Sequence, residues 1–210
     1  TIEKSRFMTI LHKAEDYLGF FAVFLLALLP AMEVVARVFK TSISHATPYT
    51  KHLLLFVAFV SGMITSRKKM HLSLSLQLNI KDHVKKRLHT AIMLLSVIMT
   101  TGFTWSALAV VFEAFSPSLK IGIFPIRLVG MIMVVGYAVM AVRFFNDTPK
   151  DRISRMLVGL GFVLGTFIAM SSIESAWGAL FDNIPQFITS LSGAAESVNN
   201  AIGFPMVLLL

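Results

Sequence analysis

The sequence predicts an all-α polytopic membrane protein: a four-helix transmembrane bundle, a fifth connecting transmembrane helix, and interfacial amphipathic helices. Three observations lead there. Of 210 residues, 56% are apolar and only 14% charged, with a mean hydropathy of +0.76, far from the balance of a soluble domain. The apolar residues fall in runs long enough to cross a hydrocarbon core of roughly 30 Å. The basic residues sit at the ends of those runs rather than on one polar face, a pattern of membrane topology and not of nucleic-acid binding. The net charge of +8 therefore encodes orientation, and no nucleic-acid partner is expected.

Residues 1–16 carry Lys4, Arg6 and Lys13, with Phe7, Ile10, Leu11 and Ala14 at helical spacing. This reads as a short amphipathic helix on the membrane surface, without the pattern of a secretory signal. Residues 17–39 are apolar apart from Glu33 and Arg37 and form the first span, in which Pro30 should produce a kink. Glu33 and Arg37 are four apart and share a helix face. They read either as an interfacial ion pair with Arg37 reaching for water or as a contact to a partner subunit.

A polar loop with Pro48 leads to a second, short span at 49–66, which ends in Arg67, Lys68 and Lys69. Seven of the nineteen Lys and Arg residues lie from Arg67 to Arg87, against one acid, Asp82. Between 72 and 78, leucines alternate with Ser and Gln. That matches a strand template, but a lone strand would leave its backbone unpaired at a membrane surface, so an interfacial helix or a packed extended piece is expected. Asp82 can cap the third span, 88–112. The fourth runs over 121–145 with Pro125 and Arg127 in its first turns.

A charged loop containing Asn146-Asp147-Thr148-Pro149 separates this bundle from a fifth apolar run at 153–177. After Pro185, residues Phe187, Ile188, Leu191, Ala195 and Val198 share one helical face, which predicts an amphipathic surface helix over 185–198. Residues 201–210 open another apolar run, so the chain is expected to continue into a larger polypeptide. The organisation is thus 1–16 interfacial helix, 17–145 four-span domain, 146–200 connector, and 201–210 the start of a further transmembrane segment.

With the N-terminus in the cytoplasm, fourteen of the nineteen basic residues lie inside and five (Arg37, Lys40, Lys51, Lys120 and Arg127) outside, as the positive-inside rule requires. The absence of cysteine excludes a disulfide framework, a thiol nucleophile, an iron–sulfur cluster and a Cys-based zinc site. Of six histidines, only His52 and His89 lie near span ends; haem ligation would need imidazoles facing each other across spans. Transport sites favour broken helices in repeated halves, and no internal repeat is visible. No catalytic, metal or cofactor site is therefore expected. Lys68, Lys69 and Arg87 are candidates for contact with phospholipid head groups.

The order of these features resembles the small membrane subunit (Q, DctQ-like) of tripartite ATP-independent periplasmic (TRAP) transporters. The resemblance rests on Arg37-Val38-Phe39 at the end of span one, Ser61 and Gly62 in a short span two, Arg67-Lys68-Lys69-Met70-His71 after it, and Phe124-Pro125 opening span four. One departure is His45-Ala46-Thr47-Pro48-Tyr49-Thr50, where the family usually carries a Trp and an acidic pair; a docking contact made by those acids would be made differently here. The resemblance implies a noncatalytic scaffold. Substrate and sodium sites would belong to the large (M-type) transport subunit, and a periplasmic substrate-binding protein would deliver substrate, often an organic acid, at the bacterial inner membrane. Because a four-span subunit ends inside and the large subunit starts outside, the fifth span suggests fusion of the two. Arg37 and Glu33 would then serve subunit contacts, and Arg67 and His71 would fix the interfacial turn. A different class also fits the composition: the membrane anchor of a respiratory oxidoreductase.

Overall fold

The computed structural model describes residues 2–41, 46–67, 82–116, 118, 120–121, 124–181 and 183–207. They form seven α-helices: α1 Ile2–Val38, α2 Ala46–Arg67, α3 Asp82–Ala109, α4 Ile126–Asn146, α5 Arg152–Ile168, α6 Met170–Leu180 and α7 Gln186–Val207. Among the described residues, four helical stretches are each long and apolar enough to cross a membrane: His12–Val38, Pro48–Arg67, His83–Ala114 and Ile126–Asn146. The chain is an all-α polytopic membrane protein, as the composition requires.

The first two helices revise two expected boundaries. α1 is one uninterrupted helix, so 1–16 is not a separate element. Ala14-Glu15-Asp16-Tyr17 contains no Pro or Gly, and the Glu15 side chain turns into the protein, where it is 11% exposed. The helix also continues through Pro30, as transmembrane helices can where neighbouring groups or local helix adjustments re-satisfy the freed backbone carbonyl. α2 begins at Ala46 and places Pro48 in its first turn, where a missing N–H costs nothing. The flank lengthens the short span to a crossing length.

α3 continues into a π-helical turn, Val110–Ala114. Such turns disturb the carbonyl ladder, and Arg127 compensates: its Nε donates to the Phe115 carbonyl and its Nη2 to the Phe112 carbonyl, both at 2.8 Å. The guanidinium also lies 5.7 Å from the Phe112 ring centroid, a cation–π distance. Lys120–Ile121 and Phe124–Pro125 then pair as a minimal antiparallel ladder, β1 and β2. The fourth span accordingly starts at Ile126, later than expected, with extended Pro125 as its cap.

The helices lie side by side in the order α1, α2, α4, α3, followed by α5 and α6 together. Aromatic contacts mark the middle of this row: Phe59 of α2 meets Tyr137 of α4 edge-on at 4.9 Å, and Tyr137 meets Phe103 of α3 at 5.3 Å. Without a hydrophobic drive between helices in lipid, close backbone approach does much of the holding. Gly161 and Gly165 supply it between α5 and α3; a Cβ on Gly165 would lie 2.6 Å from the Ile98 carbonyl oxygen. Met93, Val97 and Val158 form the buried cluster beside this contact, with Phe144, Phe145 and Phe162 packed around it.

The fifth apolar run is not one straight helix. α5 and α6 meet at Ala169 with a 60° bend. Nevertheless the pair follows α3 through most of its length: Thr90 bonds Ser154, Gly165 abuts Ile98, and Ser106 bonds Ser172. Both advance in the same sense, so α5 runs parallel to α3.

The helix after Pro185 also differs from expectation. It packs on protein, with Ile188 and Ala195 buried against Met170, Phe167 and Ile173, while Phe187, Leu191 and Val198 of the same apolar face stay exposed. It runs to Val207 without a break, so no new element starts at 201.

Candidate functional site

Among the described residues, the densest polar constellation joins three helices at the end of the row where α2 and α4 terminate. Arg67 is the last residue of α2, Arg143 lies in the last turn of α4, and Glu15 and Asp16 are neighbours on α1. The Glu15 carboxylate lies between the two guanidiniums. Its Oε1 accepts from Arg143 Nη2, and its Oε2 is 3.5 Å from Arg67 Nη1. Arg67 also donates to the Asp16 carboxylate and, at 2.9 Å, to the His12 carbonyl; Arg143 donates to the Met63 carbonyl of α2.

The side chains of Glu15, Arg67 and Arg143 are 11, 14 and 16% exposed. Buried charge is expensive unless paired and hydrogen-bonded, and here each guanidinium reaches both a carboxylate and a backbone carbonyl. Planar guanidinium forks suit this role better than lysine ammonium would. Chemically the arrangement is a clasp: it fixes α1, α2 and α4 to one another.

A second polar station ties α3 to the start of α5. Lys86 Nζ lies 3.1 Å from Asp151 Oδ1. Asp151 caps α5, its Oδ2 accepting from the Ser154 amide at 3.1 Å and the Ser154 hydroxyl at 3.0 Å. The Ser154 amide bond foremost, and Lys86 after it, hold the Asp151 carboxyl below the usual aspartate range against an opposing effect of burial. Further along, Trp105 Nε1 donates to Thr166 at 3.2 Å and Ser106 bonds Ser172 at 3.1 Å. On the far side of α6, Ser192 of α7 donates to the Glu174 carboxylate, and Asn199 donates to the Ile168 carbonyl at 3.2 Å where the bend leaves it open.

Of the residues singled out in the sequence, Glu33 and Arg37 are paired, with Nη2 to Oε1 at 2.6 Å. Arg37 is 72% exposed, on an α1 surface that also exposes Val34, Val35 and Val38. Arg67 is central to the clasp. Arg87 lines a groove between α3 and α5. Lys68, Lys69, His71 and the alternating stretch 72–78 lie outside the described residues, as does the side chain of Asp82. The structure thus does not bring Glu33 and Arg37 to Arg67: the pair lies near the C-terminal end of α1, whereas Arg67 of α2 meets Glu15 and Asp16 in its first half.

Sequence reasoning missed Glu15, Asp16 and Arg143. The available signal was two adjacent acids at the margin of a basic-flanked span, facing two arginines at the ends of other spans. Among the described residues, no group of three or more His, Asp or Glu side chains is arranged to hold a metal ion.

The family described as tripartite ATP-independent periplasmic transporters, DctQ component, matches residues 26–152. That interval runs from the second half of α1 through α4 to the first residue of α5 and includes both clasp arginines. No curated protein and no solved structure gave a significant match.

Proposed function

The chain belongs to the DctQ component family of tripartite ATP-independent periplasmic transporters, and from that premise we propose that it is the noncatalytic scaffold of a sodium-coupled transporter for organic acids. It works beside a large transport subunit, which carries the substrate and sodium sites, and helps dock the periplasmic substrate-binding protein. The observation that carries this reading is the clasp of Glu15, Arg67 and Arg143. Charged groups inside a membrane protein ordinarily mark a transported ion or proton path, but these are consumed in holding helices together. The Ser106–Ser172 and Trp105–Thr166 bonds have the same use between α3 and the bent pair. A static wall against which another subunit moves needs this kind of internal fixation.

The exposed apolar surface of α1, including Phe20, Phe21, Phe24 and Met32, is available to lipid or to the transport subunit. The Glu33–Arg37 pair is the subunit contact on that helix, because a charged pair left facing lipid would be costly. Arg67 and His71 fix the turn after span two. The N-terminus lies in the cytoplasm of the bacterial inner membrane, as the fourteen-to-five distribution of basic residues supports. In this reading the bent α5–α6 pair is the extra crossing that links the domain covalently to the large subunit, and its course alongside α3 supports that role.

The test is uptake in proteoliposomes containing the binding protein, a sodium gradient and the full transporter, compared with residues 1–210 alone. The proposal expects saturable, sodium-dependent uptake only from the complete assembly. Saturable uptake by residues 1–210 alone would overturn it. Mass spectrometry of the intact native polypeptide decides whether the two parts are one chain.

A further inference from the structure

At their basic ends α3 and α5 leave a groove of about 570 Å³ between them. We propose that it holds one anionic phospholipid, with the headgroup phosphate at Arg87 and His83 and an acyl chain along Leu94, Ile153 and Leu157. The groove is amphiphilic along its length. His83, Lys86 and Arg87 line one end with Asp151; Ala91, Leu94 and Leu157 lie further along, and Ile153 stands between them, next to Ser154 at the level of Thr90. From Arg87 to Leu94 the helix rises about 10 Å at 1.5 Å per residue, which suits the passage from a phosphate to the upper acyl carbons.

Charge favours an anionic head. The carboxylate in the groove, Asp151, is already engaged: one oxygen lies 3.1 Å from Lys86 Nζ, and the other accepts from the Ser154 amide and hydroxyl. Lys86 therefore offsets Asp151, leaving Arg87 as the net positive charge, with His83 beside it as a further donor. Both residues are exposed, as a headgroup site at a membrane boundary requires. The apolar lining argues against a free inorganic anion as occupant. Ile153 is 72% exposed and Leu157 43%, apolar surface that a phosphate ion would leave uncovered and an acyl chain covers. A zwitterionic lipid would cover it too, but would gain less at Arg87, since attraction of a basic side chain to an anionic surface is worth about 1 kcal/mol. This inference concerns lipid binding and stands independently of the transport role.

Native mass spectrometry of the full-length protein in mild detergent tests it, with titration of phosphatidylglycerol against phosphatidylcholine of the same chains. The expected result is retention of one phosphatidylglycerol about fivefold more strongly than phosphatidylcholine, the factor that corresponds to one such charge. Arg87→Gln should abolish the preference and Arg87→Lys keep most of it. Ala91→Trp, at an exposed position, should block the groove and release the lipid while leaving every charge in place. Equal retention of the two lipids overturns the proposal, as does a preference that survives Arg87→Gln or Ala91→Trp. Displacement of the lipid by inorganic phosphate at matched ionic strength also overturns it, in favour of a free-anion pocket.

Discussion

Glu15 and Arg143 are 128 positions apart and share a charge-assisted hydrogen bond, Arg143 Nη2 donating to Glu15 Oε1. With Arg67 on the other carboxylate oxygen, this one acid joins the first helix to both the second and the fourth. In the helix row α1 touches mainly α2, so the ion pair to α4 is its principal tie beyond its immediate neighbour.

Glu15→Ala should therefore be costly. It leaves two largely buried guanidiniums without their shared carboxylate, and breaking a buried pair from one side typically costs roughly 3–5 kcal/mol. Thermal unfolding of the purified protein in detergent should show a large downward shift. Arg67→Glu should do at least as much, since it sets a third carboxylate against Glu15 and Asp16. Unchanged melting and topology in both variants would mean that the cluster is only a solvated end.

The α3–α5 contact gives a steric prediction. A side chain at Gly165 would meet the Ile98 carbonyl oxygen at 2.6 Å and Thr101 Cβ at 2.9 Å, and backbone cannot yield as a flexible side chain can. Gly165→Val should force the helices apart and cost about 1–3 kcal/mol, as overpacking generally does. Gly193→Ala is the control: nothing lies within 4 Å of its added Cβ, so helix propensity should make it neutral or stabilising by up to about 1 kcal/mol. Equal effects in the two variants would remove close packing as the cause.

What could be read in the sequence was what local pattern determines. The four spans were legible because long apolar runs bounded by Arg and Lys have few other uses. The Glu33–Arg37 pair was legible because spacing of four fixes a shared face. Glu15 was not, because its partners lie 52 and 128 positions away and two acids among Lys4, Arg6 and Lys13 look like a solvated surface helix. The break at Ala169 left no local mark either. Phe167-Ile168-Ala169-Met170 contains neither Gly nor Pro, and the bend is stabilised by tertiary partners, Ser106 on Ser172 and Asn199 on the Ile168 carbonyl. The apolar face after Pro185 was visible from its helical spacing, but that spacing is the same whether lipid or α6 covers it.

Arg37→Ala separates structure from assembly. The Arg37 side chain is 72% exposed, and exposed ion pairs contribute about 0–1 kcal/mol, so the isolated domain should melt within that margin of the wild type. If the Glu33–Arg37 pair is a subunit contact, co-purification with the transport subunit should nevertheless fall. A variant that leaves both melting and co-purification unchanged would reduce the pair to an interfacial decoration.

Asp151 gives the pH dependence. Its carboxyl is held below the usual aspartate range chiefly by the Ser154 amide, with Lys86 assisting, so the folded protein binds this proton less readily than the unfolded chain. The contribution to stability is then fully present above the ordinary aspartate pKa of about 3.9 and is lost as pH falls through the lowered folded value. Asp151→Asn should melt below the wild type at neutral pH, because the amide loses the ion pair with Lys86 and caps α5 without charge. The difference should stay constant from neutral pH down to the ordinary aspartate range and close below it, read from melting curves of both proteins across that interval. A gap that persists undiminished under strongly acidic conditions would show that the carboxylate charge and its pairing with Lys86 of α3 are not the cause, and that the cap hydrogen bonds to Ser154 within α5 carry the difference.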